Sequence, residues 1–166
     1  MNKLFIILIQ LLPIIVKGQL LNTVDQIATY NNPYNQLVFV KDTIRGGQFM
    51  PYNGASPADN GLIFQDALGR KWIRQAKVDF LDVRWFGAKP DGSDTRAAFI
   101  AAINSAKNNL PSVKIKFPQT TSNSYYYFSD SIAFDSYVEI FGDGHESKLK
   151  FAQHKKGFVF TYPNTH

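Results

Sequence analysis

The stretch Trp85–Asn109, WFGAKPDGSDTRAAFIAAINSAKNN, stands apart from a chain otherwise written in short aromatic runs: a glycine-rich turn leads into an alanine-rich segment and then back to strand-like sequence. Asp91-Gly92 is a turn signal, and Ser93 or Asp94 carries the side-chain oxygen that a helix N-cap needs. From Thr95 to about Lys107, the apolar residues Phe99, Ala102, Ile103 and Ala106 recur at i, i+3, i+4 and i+7. That spacing predicts a helix with one narrow apolar stripe, laid over something apolar.

Beyond the helix, the chain reads as strands. VKIKF (Val113–Phe117), YVEIFG (Tyr137–Gly142) and GFVFTY (Gly157–Tyr162) alternate with YYYFSDSIAF (Tyr125–Phe134) and SKLKF (Ser147–Phe151), with corners at Pro118, Asp135-Ser136 and Gly142-Asp143-Gly144. Ile115 to Ile140 is 25 residues and Ile140 to Val159 is 19, close to the length of one turn of a β-solenoid. Alternation places Val113, Ile115 and Phe117 inward and Lys114 and Lys116 outward, with Lys116 expected beside Glu139. A solenoid has an apolar cross-section at each end and needs a capping element. An amphipathic helix just before the first turn meets that need.

Upstream, QLVFV (Gln36–Val40), QFMPY (Gln48–Tyr52), GLIF (Gly61–Phe64) and RKWIRQ (Arg70–Gln75) are separated by segments rich in Gly, Pro, Asn and Asp. They predict a small antiparallel β module over residues 20–75, joined by a connector, 76–82, to the part spanning 83–166. The first 19 residues, MNKLFIILIQLLPIIVKGQ, have a basic start, an apolar run from Leu4 to Val16 and a small-polar end at Gly18-Gln19. This is the layout of a secretory signal peptide, too short and too interrupted for a membrane span, so the expectation is a secreted or surface protein with no membrane anchor.

Composition excludes several chemistries. The chain has no cysteine, which removes disulfides, thiolate metal sites and a cysteine nucleophile. Losing the leader takes Lys3 and Lys17 and lowers the formal charge from +5 to +3, too small a balance to name a partner. With 45% hydrophobic and only 19% charged residues, the class is mainly β.

Phe86, Gly87, Ala88, Lys89, Asp91, Gly92, Asp94, Ala98 and Ile103 match a motif of the form F-G-A-K-G-D-G-x-T-D-D-T-x-A-I-x-x-A-I. On these residues the chain resembles the pectate-lyase-like superfamily of right-handed parallel β-helix proteins, in particular the branch of rhamnogalacturonase-like enzymes and phage tailspikes. Two departures stand out: Pro90 replaces a usual glycine, and the segment between Gly92 and Asp94 is one residue short. Residues 116–151 are similar to the first coil of that family, and IRGGQF, ADNG and GRKWIR to the β module that precedes the β-helix in many tailspike-like proteins. The resemblance implies the start of a right-handed parallel β-helix with an N-terminal capping α-helix. It also implies a polysaccharide partner, acidic in character, and a homotrimer as a possible assembly.

The resemblance places the acids, bases and calcium ligands of such enzymes on later coils, so no cofactor is expected here and Ca2+ only in a full-length lyase. Within this chain, Asp143, His145 and Glu146 in GDGHES (Gly142–Ser147) are of the right types for general acid, base or metal ligand. A solvated turn beside the glycine corner Gly142/Gly144 accounts for the same residues. His145, His154 and His166 lack helical zinc spacing, and neither a nucleophile elbow nor a phosphate loop occurs. Lys148, Lys150, Lys155 and Lys156 read as a solvated face, not a nucleic-acid site. Tyr125, Tyr126 and Tyr127 are candidates for stacking on sugar rings, with one of every two turned to the core. The expectation is therefore the N-terminal part of a secreted β-helix protein, a lyase or hydrolase of acidic polysaccharide when complete, with no catalytic residues of its own; the alternative is a non-catalytic glycan-binding adhesin or tailspike-like attachment protein.

Overall fold

The computed structural model describes residues 18–76, 79–134 and 137–161. Residues 1–17 of the expected leader, residues 77–78 of the connector, the Asp135-Ser136 corner, Tyr162 and His166 lie outside the described residues; the last two leader residues, Gly18 and Gln19, fall in a strand. The described part is mainly β, with a single α-helix.

Strands β1 (Gly18–Leu21), β2 (Leu37–Val40), β3 (Gly47–Tyr52), β4 (Ile63–Gln65) and β5 (Lys71–Arg74) form one sheet in the order β1-β2-β3-β5-β4. The pairs β2/β3, β3/β5 and β4/β5 are antiparallel, as the sequence predicts. The pair β1/β2 is parallel, with Gly18 opposite Leu37, so the module is mixed and not purely antiparallel. The cause is the connection: a 3-10 turn at Val24–Thr29 crosses under the sheet and returns the chain in the same direction. Its Val24 and Ile27 are buried against Trp72, Val38 and Phe49. Trp72 is fully buried, with the rings of Tyr30 and Tyr34 edge-on to it at 5.1 Å.

The second part is built from β6 (Leu81–Asp82), β7 (Asp91–Asp94), α1 (Arg96–Asn109), β8 (Lys114–Phe117), β9 (Tyr125–Phe128), β10 (Ile132–Phe134), β11 (Glu139–Gly142), β12 (Leu149–Phe151) and β13 (Phe158–Phe160). They make three all-parallel sheets, β6-β8-β11, β7-β9-β12 and β10-β13. The chain visits the sheets in rotation. Ile115 pairs with Ile140, 25 residues on; Tyr126 with Leu149, 23 on; Ile132 with Phe158, 26 on. The 25-residue spacing is thus a true turn, whereas the 19-residue interval is not: Val159 pairs with Ala133, because Ile140 and Val159 belong to different sheets.

Parallel pairing sets inward apolar side chains beside one another, Ile115 by Ile140 and Phe128 by Phe151, and the interior fills with aromatics. Phe128 and Phe151 stack at 4.8 Å with an interplanar angle of 14°. On α1, the expected stripe of Phe99, Ala102, Ile103 and Ala106 is buried, together with Ser105. The Phe99 ring reaches into this interior, 5.2 Å from Phe117, 5.8 Å from Phe128, 6.0 Å from Phe134 and 5.5 Å from Phe158.

The two parts pack on each other. Leu62 and Ile63 belong to the same buried cluster as Leu81, Phe99 and Ile115. The Asp59 carboxylate accepts the backbone N–H groups of Gly61, Leu62 and Ile63, and its other oxygen accepts the Ser105 hydroxyl at 2.6 Å. A polar residue on the buried helix face is thereby satisfied.

Candidate functional site

The corner after β11 holds the residues singled out from sequence. Gly142 is needed for close approach, since an added Cβ would lie 2.4 Å from the Ser147 Cβ and 3.0 Å from the Phe117 carbonyl oxygen. Gly144 sits at φ +80, a left-handed conformation that favours glycine. Between them Asp143 is fastened twice: one carboxylate oxygen lies 2.7 Å from the Lys116 ammonium, and the other accepts the Gln119 N–H at 3.0 Å. The lysine and then that N–H hold its carboxyl below the usual carboxylate range, so at neutral pH it is an acceptor and not a proton donor. Glu146 lies 2.7 Å from His145 Nε2 and 3.6 Å from Lys148, while its backbone carbonyl accepts both the N–H and the hydroxyl of Thr120 at 2.8 Å. The structure brings Asp143, His145 and Glu146 to one corner and engages both carboxylates there with neighbouring basic residues. His154 lies elsewhere, in the turn after β12, at φ +65. Among the described residues, no group of three or more His, Cys, Asp or Glu side chains is placed to hold a metal ion.

The motif of the opening stretch is structural in its local chemistry. Phe86 ends a 3-10 turn, Val83–Phe86, that Gly87 closes at φ +98, and the Phe86 ring covers Gly61 of the other part. Asp91 and Gly92 do not form a simple turn; they begin β7, which pairs irregularly with β9, and Gly92 at φ +86 lies in the irregular stretch. Asp91 accepts the N–H and hydroxyl of Ser93. Thr95 holds the N-cap position without a side-chain cap bond; Asp94 instead accepts the Arg96 N–H at 3.1 Å and the Ser129 N–H at 3.2 Å, tying the start of α1 to the end of β9.

The outer faces of the two three-stranded sheets differ in how their charges are used. On β6-β8-β11 the lysines are compensated: Lys114 lies 3.4 Å from Glu139 and 3.7 Å from Asp79, and Lys116 pairs with Asp143. The neighbour of Glu139 is therefore Lys114 and not Lys116, because Lys116 stands opposite Phe141 in the register. On β7-β9-β12, alternation sends Tyr126 and Phe128 inward, both fully buried, and leaves Tyr125 and Tyr127 half-exposed. Tyr127 stands between Asp94 and Lys150 in register, and the Lys150 ammonium lies 4.8 Å from the centroid of the Tyr125 ring. Burial pushes the Tyr126 phenol up to about 12, so it stays neutral.

One residue that sequence reading passes over is Arg74, only 5% exposed. Its guanidinium donates to the carbonyls of Gly46, Arg45 and Gly61 and lies between the rings of Phe49, at 4.7 Å, and Trp85, at 4.5 Å. Burial, and then the nearby Arg45, lower its pKa to about 10, and it remains charged at neutral pH. The signal is present in RKWIRQ: Trp72 and Arg74 are two apart in a strand and share one face.

Comparison with known proteins gives a consistent picture. No protein-family model matches the chain, and no curated protein sequence matches it. Solved structures do. Tailspike protein 4 of bacteriophage CBA120, as its enzymatically active domain, matches with a TM-score of 0.62 at 17% identity, over 88% of this chain and 20% of that one. The tailspike of Acinetobacter baumannii phage AM24 matches with a TM-score of 0.59 at 21% identity, over 78% of this chain and 22% of its own. Pantoea stewartii WceF, a glycan biofilm modifying enzyme with a tailspike-like parallel β-helix fold, matches with a TM-score of 0.53 at 18% identity, over 88% and 27%. The fold is that of part of a tailspike-like protein. The chain spans about a fifth to a quarter of the length of the proteins it matches.

Proposed function

We propose that this chain is the N-terminal part of a tailspike-like, right-handed parallel β-helix protein that binds or cleaves polysaccharide outside the cell. The observation that carries the reading is the set of parallel ladders, advancing 23 to 26 residues per turn, in a fold matched by tailspikes and by a glycan-modifying enzyme. In it, α1 caps the β-helix, its buried stripe and the Phe99 ring closing the apolar end ahead of β8. The β module precedes that cap, with β1 reduced to Leu20-Leu21 once the leader up to Gln19 has directed export, and the acidic-polysaccharide chemistry of the pectate-lyase-like superfamily supplies the substrate class.

Catalysis, in this reading, resides on turns other than those described, and a trimer is the expected assembly. A second reading, a binding-only adhesin, is favoured by the engagement of Asp143 and Glu146 in ion pairs, which leaves both carboxylates in structural work. The test is the native protein recovered from the culture medium, characterised by intact mass and by affinity electrophoresis in gels containing acidic or neutral polysaccharide. The expected result is a product beginning near Leu20 that is retarded by the acidic gel, with depolymerisation separating enzyme from adhesin. A product confined to the cytoplasm with its leader intact, and retarded by neither gel, overturns the proposal.

A further inference from the structure

We propose that the outer face of β7-β9-β12 is a subsite for an acidic sugar, with Lys150 taking the carboxylate and Tyr127 the ring. The inference rests on the polysaccharide reading above and locates it on named residues. Three strands bring side chains to this face: Asp91 and Asp94 on β7 stand opposite Tyr125 and Tyr127 on β9 across an irregular pairing, and Lys150 on β12 stands opposite Tyr127, with Lys148 just ahead of β12. Two strand spacings, about 9.5 Å, separate the carboxylates from the lysines, the reach of a disaccharide.

Charge decides which face is available. The lysines of β8 already have carboxylate partners. Lys148 is held by Glu146 and by the Ser122 carbonyl. Lys150 makes no ion pair among the described residues and is exposed; its one described contact is the Tyr125 ring, which positions the ammonium without neutralising it. The hydroxyls of Tyr125 and Tyr127 also have no hydrogen-bond partner among the described residues, and both rings are half-exposed. Aromatic rings with free hydroxyls beside an uncompensated cation match the amphipathic face and the carboxylate of a uronic acid. Asp91 and Asp94, fixed by Ser93, Arg96 and Ser129, repel that carboxylate from the β7 end and can accept sugar hydroxyls there, so they orient the ligand.

The test is titration of the full chain with tetragalacturonate, and with its carboxyl-reduced neutral counterpart, by calorimetry and by mapping NMR shifts. Lys150→Ala alters an exposed position and Tyr127→Ala a half-exposed one, and both are compared with Lys114→Ala on the other sheet. Expected are shifts centred on Tyr125, Tyr127 and Lys150, a loss of about tenfold in affinity for Lys150→Ala as befits one charge-assisted contact, weaker binding of the neutral probe, and no change for Lys114→Ala. Tight binding that survives Lys150→Ala and Tyr127→Ala removes the subsite and leaves the polysaccharide reading standing. Failure of this chain to bind either probe also removes the subsite; the same failure in the native protein removes the reading with it.

Discussion

Residues 18–76 and 79–161 bury aromatic cores of comparable character by different means. In the five-stranded sheet, Trp72 and Phe49 share the interior with two ions, Asp66 and Arg74. Asp66 accepts the Trp72 indole N–H at 3.0 Å and the Arg70 guanidinium at 2.7 Å, and Arg74 satisfies three carbonyls. In the parallel stack, every turn repeats the direction of the last, and the interior holds Phe99, Phe117, Phe128, Phe134, Phe151 and Phe158 in mutual contact. Short strands linked by loops leave loop backbone groups facing inward, and the buried charges answer them: Arg74 donates to the carbonyls of Gly46, Arg45 and Gly61, and Asp66 accepts the N–H groups of Leu68 and Arg70. A parallel stack satisfies its backbone within the ladders, so its interior is mainly aromatic; the buried carboxylate of Asp82 sits at its first strand, held by the Arg84 N–H and guanidinium.

That contrast makes distinct substitutions critical in each part. Phe99→Asp places a carboxylate among four phenylalanine rings and is expected to abolish folding of the stack, while Phe99→Ala costs about 3–5 kcal/mol. Thermal unfolding unchanged in both would remove α1 from the account. Arg74→Ala leaves three carbonyls without a donor and is expected to cost about 3 kcal/mol in urea titrations, with Arg74→Lys recovering only part of it. A neutral Arg74→Ala would show the buried ion to be dispensable.

Asp66 sharpens the comparison through pH. Burial alone would raise its pKa, but hydrogen bonds from Trp72 and Arg70 outweigh burial and lower it. A folded pKa below the unfolded one stabilises the protein above the unfolded value and is lost as pH falls through the folded one. The stability gap between wild type and Asp66→Asn should therefore close below about pH 4. A gap that is flat across this range would contradict the assignment.

The smallest effect concerns the joint between the parts. Limited proteolysis is expected to cut within residues 76–82, and the two fragments to remain together on gel filtration through Arg74, Trp85 and the Asp59–Ser105 bond. Fragments that separate, or the lack of any cut in this span, would count against a boundary bridged by packing.

Much of this was legible in the residues. The stripe of α1 comes from a 3.6-residue period carried by four apolar positions on one face, and the alternation of Tyr125–Phe128 comes from parity, whereas which parity turns inward, Tyr126 and Phe128, comes from the structure. The register of β8 against β11 was not legible, because the number of residues spent at a corner decides which lysine meets Glu139. Strand β1 was hidden because its first two residues, Gly18 and Gln19, read as the small-polar end of the expected leader. Arg74 was legible in principle, by its parity with Trp72, but a charged residue in a strand invites an outward assignment. For the candidate corner, sequence located Asp143 and Glu146 together, and only coordinates show Lys116 and Lys148 beside them.

The absence of cysteine from the sequence allows the parallel stack itself to be tested by paired substitutions. Lys114→Cys with Glu139→Cys joins register partners on adjacent parallel strands, within the Cα separation a disulfide tolerates, whereas Lys116→Cys with Glu139→Cys joins positions two residues out of register. Intact mass after mild oxidation is the measurement. The account predicts an intramolecular disulfide in the first pair and free thiols in the second; cross-linking of the second pair alone, or of neither, would contradict the parallel register on which the fold and the proposed subsite stand.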